Sequence, residues 1–129
     1  MREIEIYQEK FYIQDWMIRE DGSLILHEKT LAQYKEVKIV IKPNEDSSHN
    51  IPHIHAYYAD KEYSIAIDDS YKLLAPSKED KYYKFIKRTM FNDELIQIYR
   101  KAWNEDTNSL LKFDVQDDIY LSTYSSANK

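Results

Sequence analysis

Three of the chain's four histidines fall within seven residues, at His49, His53 and His55. The last two sit in Asn50-Ile51-Pro52-His53-Ile54-His55, which opens a run of β-forming residues. Side chains at i and i+2 of a strand point to the same face, so His53 and His55 should lie together. One chemistry for such a cluster is metal binding. Neutral imidazoles take zinc, iron, nickel or copper, and an open coordination position would hold an activated water. A further ligand could come from His49 or from Asp60, Asp68 or Asp69. The expected set is His49, His53, His55 and Asp68, around a divalent transition metal. A second chemistry needs no metal. His53 or His55 could act as general acid or base near neutral pH. With Lys42, Lys61, Arg88 or Arg100 against a phosphate, that would suit phosphodiester cleavage. The plain alternative is that both rings fill a partly buried sheet face and hydrogen-bond the polar loop beside them.

Other chemistries are excluded by composition. Gly22 is the only glycine, so no glycine-rich phosphate loop exists, and no serine or cysteine nucleophile motif is present. There is no cysteine, which removes disulfides and thiolate zinc sites and is compatible with a reducing cytoplasm. The net charge of −5 disfavours broad nucleic-acid binding, because phosphate contacts require a basic face. A local groove for nucleic acid remains open. No run of roughly 18 apolar residues suggests a membrane span. The 129 residues are enough for one domain with its own core.

The histidines must be positioned by the elements around them. Short strands are expected around Ile4–Ile6, Phe11–Ile13 with Trp16–Ile18, and Leu24–Leu26, with a turn at Glu20–Ser23. Thr30 to Glu36 reads as a helical turn. Val37–Lys42 is β-branched and forms a strand that Pro43 ends. His53–Tyr58 and Tyr63–Asp68 continue an antiparallel meander, the second alternating with Tyr63, Ile65 and Ile67 on one face. With one glycine available, most turns should use Asn, Asp, Ser and Pro.

The period then becomes helical. Ser77 with Asp80 resembles a capping box, and a helix is expected from Lys78 to Met90 with Tyr82, Phe85, Ile86 and Met90 inward. Asn92 caps a second helix ending near Asn104–Asn108, with Leu95, Ile98, Tyr99, Ala102 and Trp103 as its apolar stripe. Lys81, Lys84, Lys87 and Arg88 make the first helix locally basic, the best surface for a partner. Tyr57, Tyr58, Tyr63 and Tyr71 are a candidate base-stacking platform. An apolar run at Leu110–Val115 precedes a polar tail.

The order of these pieces resembles a bacterial family known as domain of unknown function 4160. The likeness runs over residues 36–105. It rests on Ile39-Val40-Ile41, Ile51-Pro52-His53-Ile54-His55, Asp60-Lys61-Glu62-Tyr63, Ile65-Ala66-Ile67-Asp68, Leu73-Leu74 and Glu94-Leu95-Ile96-Gln97-Ile98-Tyr99. Ile51 stands where the family has its first proline, Ile54 where it has an aromatic, and no glycine precedes Tyr63. Residues 1–35 and 109–129 extend beyond the family-like core of one domain. The resemblance implies a small cytoplasmic component of a two-gene toxin–antitoxin-like or defence system, bacterial or phage, with a protein partner encoded nearby. Alternatives are a non-catalytic protein-binding module, an acidic inhibitor, and a metal-assisted or histidine-dependent phosphodiester hydrolase.

The expected fold class is α+β. A small antiparallel sheet of about four to six strands should carry two consecutive C-terminal helices on one face. Ile39, Ile41, Ile65 and Ile67 should meet Phe85, Ile86, Leu95, Tyr99 and Trp103.

Overall fold

A computed structural model of the chain describes residues 4–7, 15–43, 51–107 and 111–115. Among these are strands β1 (Glu5–Ile6), β2 (Trp16–Ile18), β3 (Leu24–Leu26), β4 (Lys29–Tyr34), β5 (Val37–Ile41), β6 (His53–Tyr58), β7 (Lys61–Ala66) and β8 (Leu73–Ala75). Helices α1 (Lys81–Met90) and α2 (Asp93–Asp106) follow. The expected strand at Phe11–Ile13 lies outside the described residues. The fold is α+β. Six strands form an antiparallel sheet in the order β1-β4-β5-β6-β7-β8, and β2 pairs with β3 in a separate hairpin.

Alternation divides the large sheet into two faces. Ile39, Ile54, Ala56, Tyr63 and Ile65 are fully buried and share a core with Ile86, Met90, Leu95, Tyr99 and Trp103 of the helices. Ile41 and Ile67 join this core, and Phe85 packs against it half-buried. Each apolar side chain of this size contributes roughly 1.5–3 kcal/mol when removed from water. Lys38, His55, Tyr57, Glu62 and Ser64 alternate with these residues and occupy the opposite face.

Three local expectations are corrected. Thr30–Glu36 is not a helical turn: Lys29–Tyr34 is β4, paired with β5 from Lys29↔Ile41 to Tyr34↔Val37. Ladder hydrogen bonds and burial of Leu31 and Ala32 override a weak helical preference. Helix α1 begins at Lys81, not Lys78, because Asp80 is its cap. The Asp80 carboxylate accepts from the Tyr83 N–H at 2.8 Å and from the Tyr63 hydroxyl at 2.8 Å. The buried stripe of α1 is therefore Tyr83, Ile86 and Met90. Tyr82 moves to the rim, where it meets the Tyr58 ring edge-on at 5.6 Å. The second cap is as expected, with Asn92 accepting from the Leu95 N–H at 3.0 Å.

Some turns use unexpected residues. The two-residue connection from β6 to β7 is Ala59–Asp60, with φ of 54° and 61°. Positive φ at both positions is the mark of a type I′ hairpin turn, whose twist matches its strands. Lys35 and Tyr71 also have positive φ, whereas the turns at Asp21–Ser23 and Asp68–Ser70 are held by Asp and Ser side chains as expected. Aspartate tolerates this region, but alanine's Cβ crowds the following carbonyl oxygen. Replacing Ala59 by Gly should therefore raise stability by about 1 kcal/mol. The readout is a higher urea midpoint at unchanged slope; a lower midpoint would contradict the strain at this turn.

Candidate functional site

The polar face of the sheet is built by cross-strand register. His55 pairs across β6 and β7 with Ser64, and Tyr57 pairs with Glu62. On the other side His55 faces Val40 and Tyr57 faces Lys38. The period of two thus gathers two histidines, a tyrosine, a serine, a lysine and a carboxylate on one surface.

Glu62 is the centre of this arrangement. One of its carboxylate oxygens lies 2.7 Å from Lys42 Nζ and 2.9 Å from His55 Nδ1. The Ser64 hydroxyl is 3.2 Å from the same imidazole nitrogen. A second charged group lies alongside. Glu28 accepts from the Tyr57 hydroxyl at 2.9 Å and pairs with Lys38 at 3.5 Å. The Lys38 and Lys42 ammonium groups sit 5.9 and 5.8 Å from the Tyr57 ring centre, within cation–π range.

The hydrogen bonds define the histidine tautomers. His53 Nδ1 is 2.8 Å from the Ile51 carbonyl oxygen. A carbonyl only accepts, so the proton is on Nδ1. The Glu62 carboxylate likewise accepts from His55 Nδ1–H. In the neutral form of either ring the lone pair is therefore on Nε2. The rings meet edge-on at 5.2 Å, and His53 also lies 5.7 Å from the Trp103 ring. This pairing bears out the shared face. Access is another matter: His53 and His55 are only 2% and 3% exposed.

Asp68 follows β7 in a turn, where its carboxylate accepts from the Ser70 N–H at 2.9 Å and the Ser70 hydroxyl at 2.5 Å. His49 lies outside the described residues. Among the described residues, no three His, Asp or Glu side chains converge on a metal position. Burial works against ionisation of Asp68, but the Ser70 donors and Lys72 outweigh it and hold its carboxyl below the usual value.

An open groove of about 860 Å³ runs along the turn end of β5, β6 and β7. Its walls include Lys38, Tyr57, Lys61 and Glu62. Glu62, with its side chain 42% exposed, thus stands between the groove and buried His55. Glu62 is the site residue that no sequence motif marks. Its signal was available: counting by twos back from Ser64 places it on the histidine face.

The tyrosine platform is not formed. Tyr57 is on the polar face and Tyr58 on the helix face, stacked on Phe85 at 5.3 Å. Tyr63 is fully buried, and burial together with its bond to Asp80 pushes its hydroxyl well above the ordinary tyrosine range. Tyr71 packs edge-on against Phe91 at 5.8 Å.

The basic side chains are together on α1. Lys81, Lys84, Lys87 and Arg88 are all exposed, and α1 contains no acidic residue. Lys81 lies over Tyr82 at 5.3 Å, Lys87 over Tyr83 at 5.9 Å and Arg88 over Phe85 at 5.5 Å. None of the four has an ion-pair partner among the described residues. No helix among the described residues is long and apolar enough to cross a membrane. Comparison with family models, curated proteins and solved structures finds no match to the chain.

The Asp68 turn yields a pH prediction. A carboxyl held below its unfolded value stabilises the fold above the ordinary aspartate pKa of about 4, and this stabilisation is lost as pH falls through the lowered folded value. Asp68→Asn should therefore flatten the loss of stability on acidification below about pH 4. Thermal midpoints measured across that range should converge for the two proteins at the acid end. Parallel curves would overturn the assignment.

Proposed function

We propose that the chain is the partner-binding member of a bacterial two-gene pair, toxin–antitoxin-like or defensive, and that α1 holds an acidic surface of the protein encoded beside it. The observation that carries this reading is the exposed, acid-free row of Lys81, Lys84, Lys87 and Arg88 on a chain of net charge −5. Cations on a surface of opposite overall sign create a local field that orients an acidic partner. The charged groups of Lys81, Lys87 and Arg88 lie over the rings of Tyr82, Tyr83 and Phe85 while the side chains stay exposed. The resemblance to domain of unknown function 4160 supports the genetic setting.

A second reading is favoured by Glu62. A carboxylate that orients His55, with Lys42 alongside, is the arrangement a general base requires. His55 and His53 would then carry out phosphodiester cleavage without a metal, once the groove side of Glu62 opened to substrate.

One set of variants separates the readings. Lys81→Glu with Lys84→Glu should weaken binding to the neighbouring gene's product by more than tenfold in calorimetry, and wild-type affinity should fall with salt. Unchanged affinity would sink the α1 reading. His53→Ala with His55→Ala should leave binding intact under that reading. If the pair instead abolishes growth inhibition while binding persists, the hydrolase reading takes its place.

A further inference from the structure

Residues 111–115, just beyond α2, return to its C-terminal end. Leu111, Lys112 and Asp114 are exposed, and Phe113 packs half-buried against the edge of the core. The segment is held mostly through its main chain. The Asn104 side-chain amide donates to the Phe113 carbonyl at 2.7 Å, and its oxygen accepts from the Phe113 N–H at 2.8 Å. Both backbone groups of one residue are thus satisfied, as a neighbouring strand would satisfy them. Lys112 Nζ donates to the Asn104 and Thr107 carbonyls at 2.9 and 3.2 Å, at the end of α2 where the helix dipole favours a cation. The Arg100 guanidinium lies 5.0 Å from the Phe113 ring centre. One further bond leads inward. The Trp103 indole N–H donates to the Leu111 carbonyl at 2.9 Å, and the Trp103 ring lies against His53 at 5.7 Å.

We propose that residues 111–113 are a strap that closes the α2 side of the histidine pair, with Trp103 as the cover it holds in place. A buried indole N–H needs an acceptor, and among the described residues the Leu111 carbonyl is that acceptor. When the strap leaves, the N–H is unpaired in an apolar site, and the indole is driven to turn toward water. His53 then loses the ring that covers it. The strap is also the easier part to open. It buries little apolar surface, with Leu111 53% exposed, and the Lys112 bonds lie at the surface. Segments of this kind open at lower free energy than the fold they lie on. The body of α2 stays in place, because Leu95, Ile98, Tyr99 and Ala102 hold it in the core. His53 begins β6, so this route lies at the strand end remote from the Glu62 groove. It works the same way under either functional reading.

Diethylpyrocarbonate labelling, mapped by mass spectrometry, reads the closure. The reagent attacks the free nitrogen of a neutral imidazole, so access governs its rate. In the wild type His53 should react far more slowly than His27, whose side chain is 42% exposed. Asn104→Ala removes the amide, while alanine favours the helix. It should raise the His53 rate about tenfold and leave His27 unchanged. Deuterium exchange at the Trp103 indole N–H should quicken by a similar factor, while the β6 and β7 amides exchange as in wild type. Lys112→Ala, at an exposed position, removes only bonds to the end of α2 and should act in the same direction. An unchanged His53 rate in both variants overturns the strap. So does a rise that the β6 and β7 amides share, which marks general loosening, or a faster His53 with Trp103 exchange unaltered.

Discussion

The arrangement of this molecule depends on the register between β6 and β7. The Ala59–Asp60 turn sets that register, and every side chain on both strands takes its face from it. With Ile54 against Ile65 and Ala56 against Tyr63, the core closes under the helices. The same pairing puts His55 beside Ser64 and Tyr57 beside Glu62. A slip of one residue would turn an entire strand over. It would drive imidazoles and a carboxylate into the apolar core and expose isoleucine. The large cost of burying unpaired polar groups therefore holds the register more firmly than the strained alanine loosens it.

The polar face solves a problem that burial creates. Nearly inaccessible imidazoles must have hydrogen-bond partners, and the chain supplies them locally: the Ile51 carbonyl for His53, Glu62 and Ser64 for His55. Glu62 in turn is balanced by Lys42, and Glu28 by Lys38. Fixing Nδ1 as the donor leaves Nε2 as the basic nitrogen, a precondition shared by metal ligation and base catalysis. Asp68, one of the expected metal ligands, is committed to its own turn. A buried ion pair between α2 and β4 shows a similar balance. Asp106 lies 3.2 Å from Lys29, yet burial raises its pKa despite that cation. Desolvation there outweighs the attraction, as it often does for buried pairs.

How much of this was legible depended on whether a residue's role was local. The strand at His53–Tyr58 and the Asn92 cap follow from short-range pattern, and both are where the pattern puts them. So does the shared face of His53 and His55. Strand β4 was not legible, because Lys29-Thr30-Leu31-Ala32-Gln33-Tyr34 has no clean period, and a register irregularity between Thr30 and Ala32 breaks what alternation exists. Only pairing with β5 settles its state. The start of α1 was misread for a related reason. Ser77 and Asp80 are both good caps, and the Tyr63 hydroxyl, distant in sequence, helps hold Asp80 in that role. Glu62 takes its role from the register, which gives it His55 as a neighbour.

The surfaces divide charge and apolar area in a way that bears on association. An apolar strip contributes contact energy with little orientation, whereas a row of cations contributes orientation and encounter rate with little net energy in water. Here the two are on different elements. The hairpin presents apolar side chains without charge between its ends, and α1 presents charge over rings already occupied with Tyr58 and the core. A partner recognised by α1 alone would bind with strong salt dependence and short residence, since exposed ion pairs are individually weak. Durable binding there requires the partner to bring its own apolar contact to the rim formed by Tyr58, Tyr82 and Phe85, whose half-buried rings are the apolar surface nearest the lysines. For such a partner the energetic weight would belong to the aromatic rim, and the cations would select which partner reaches it.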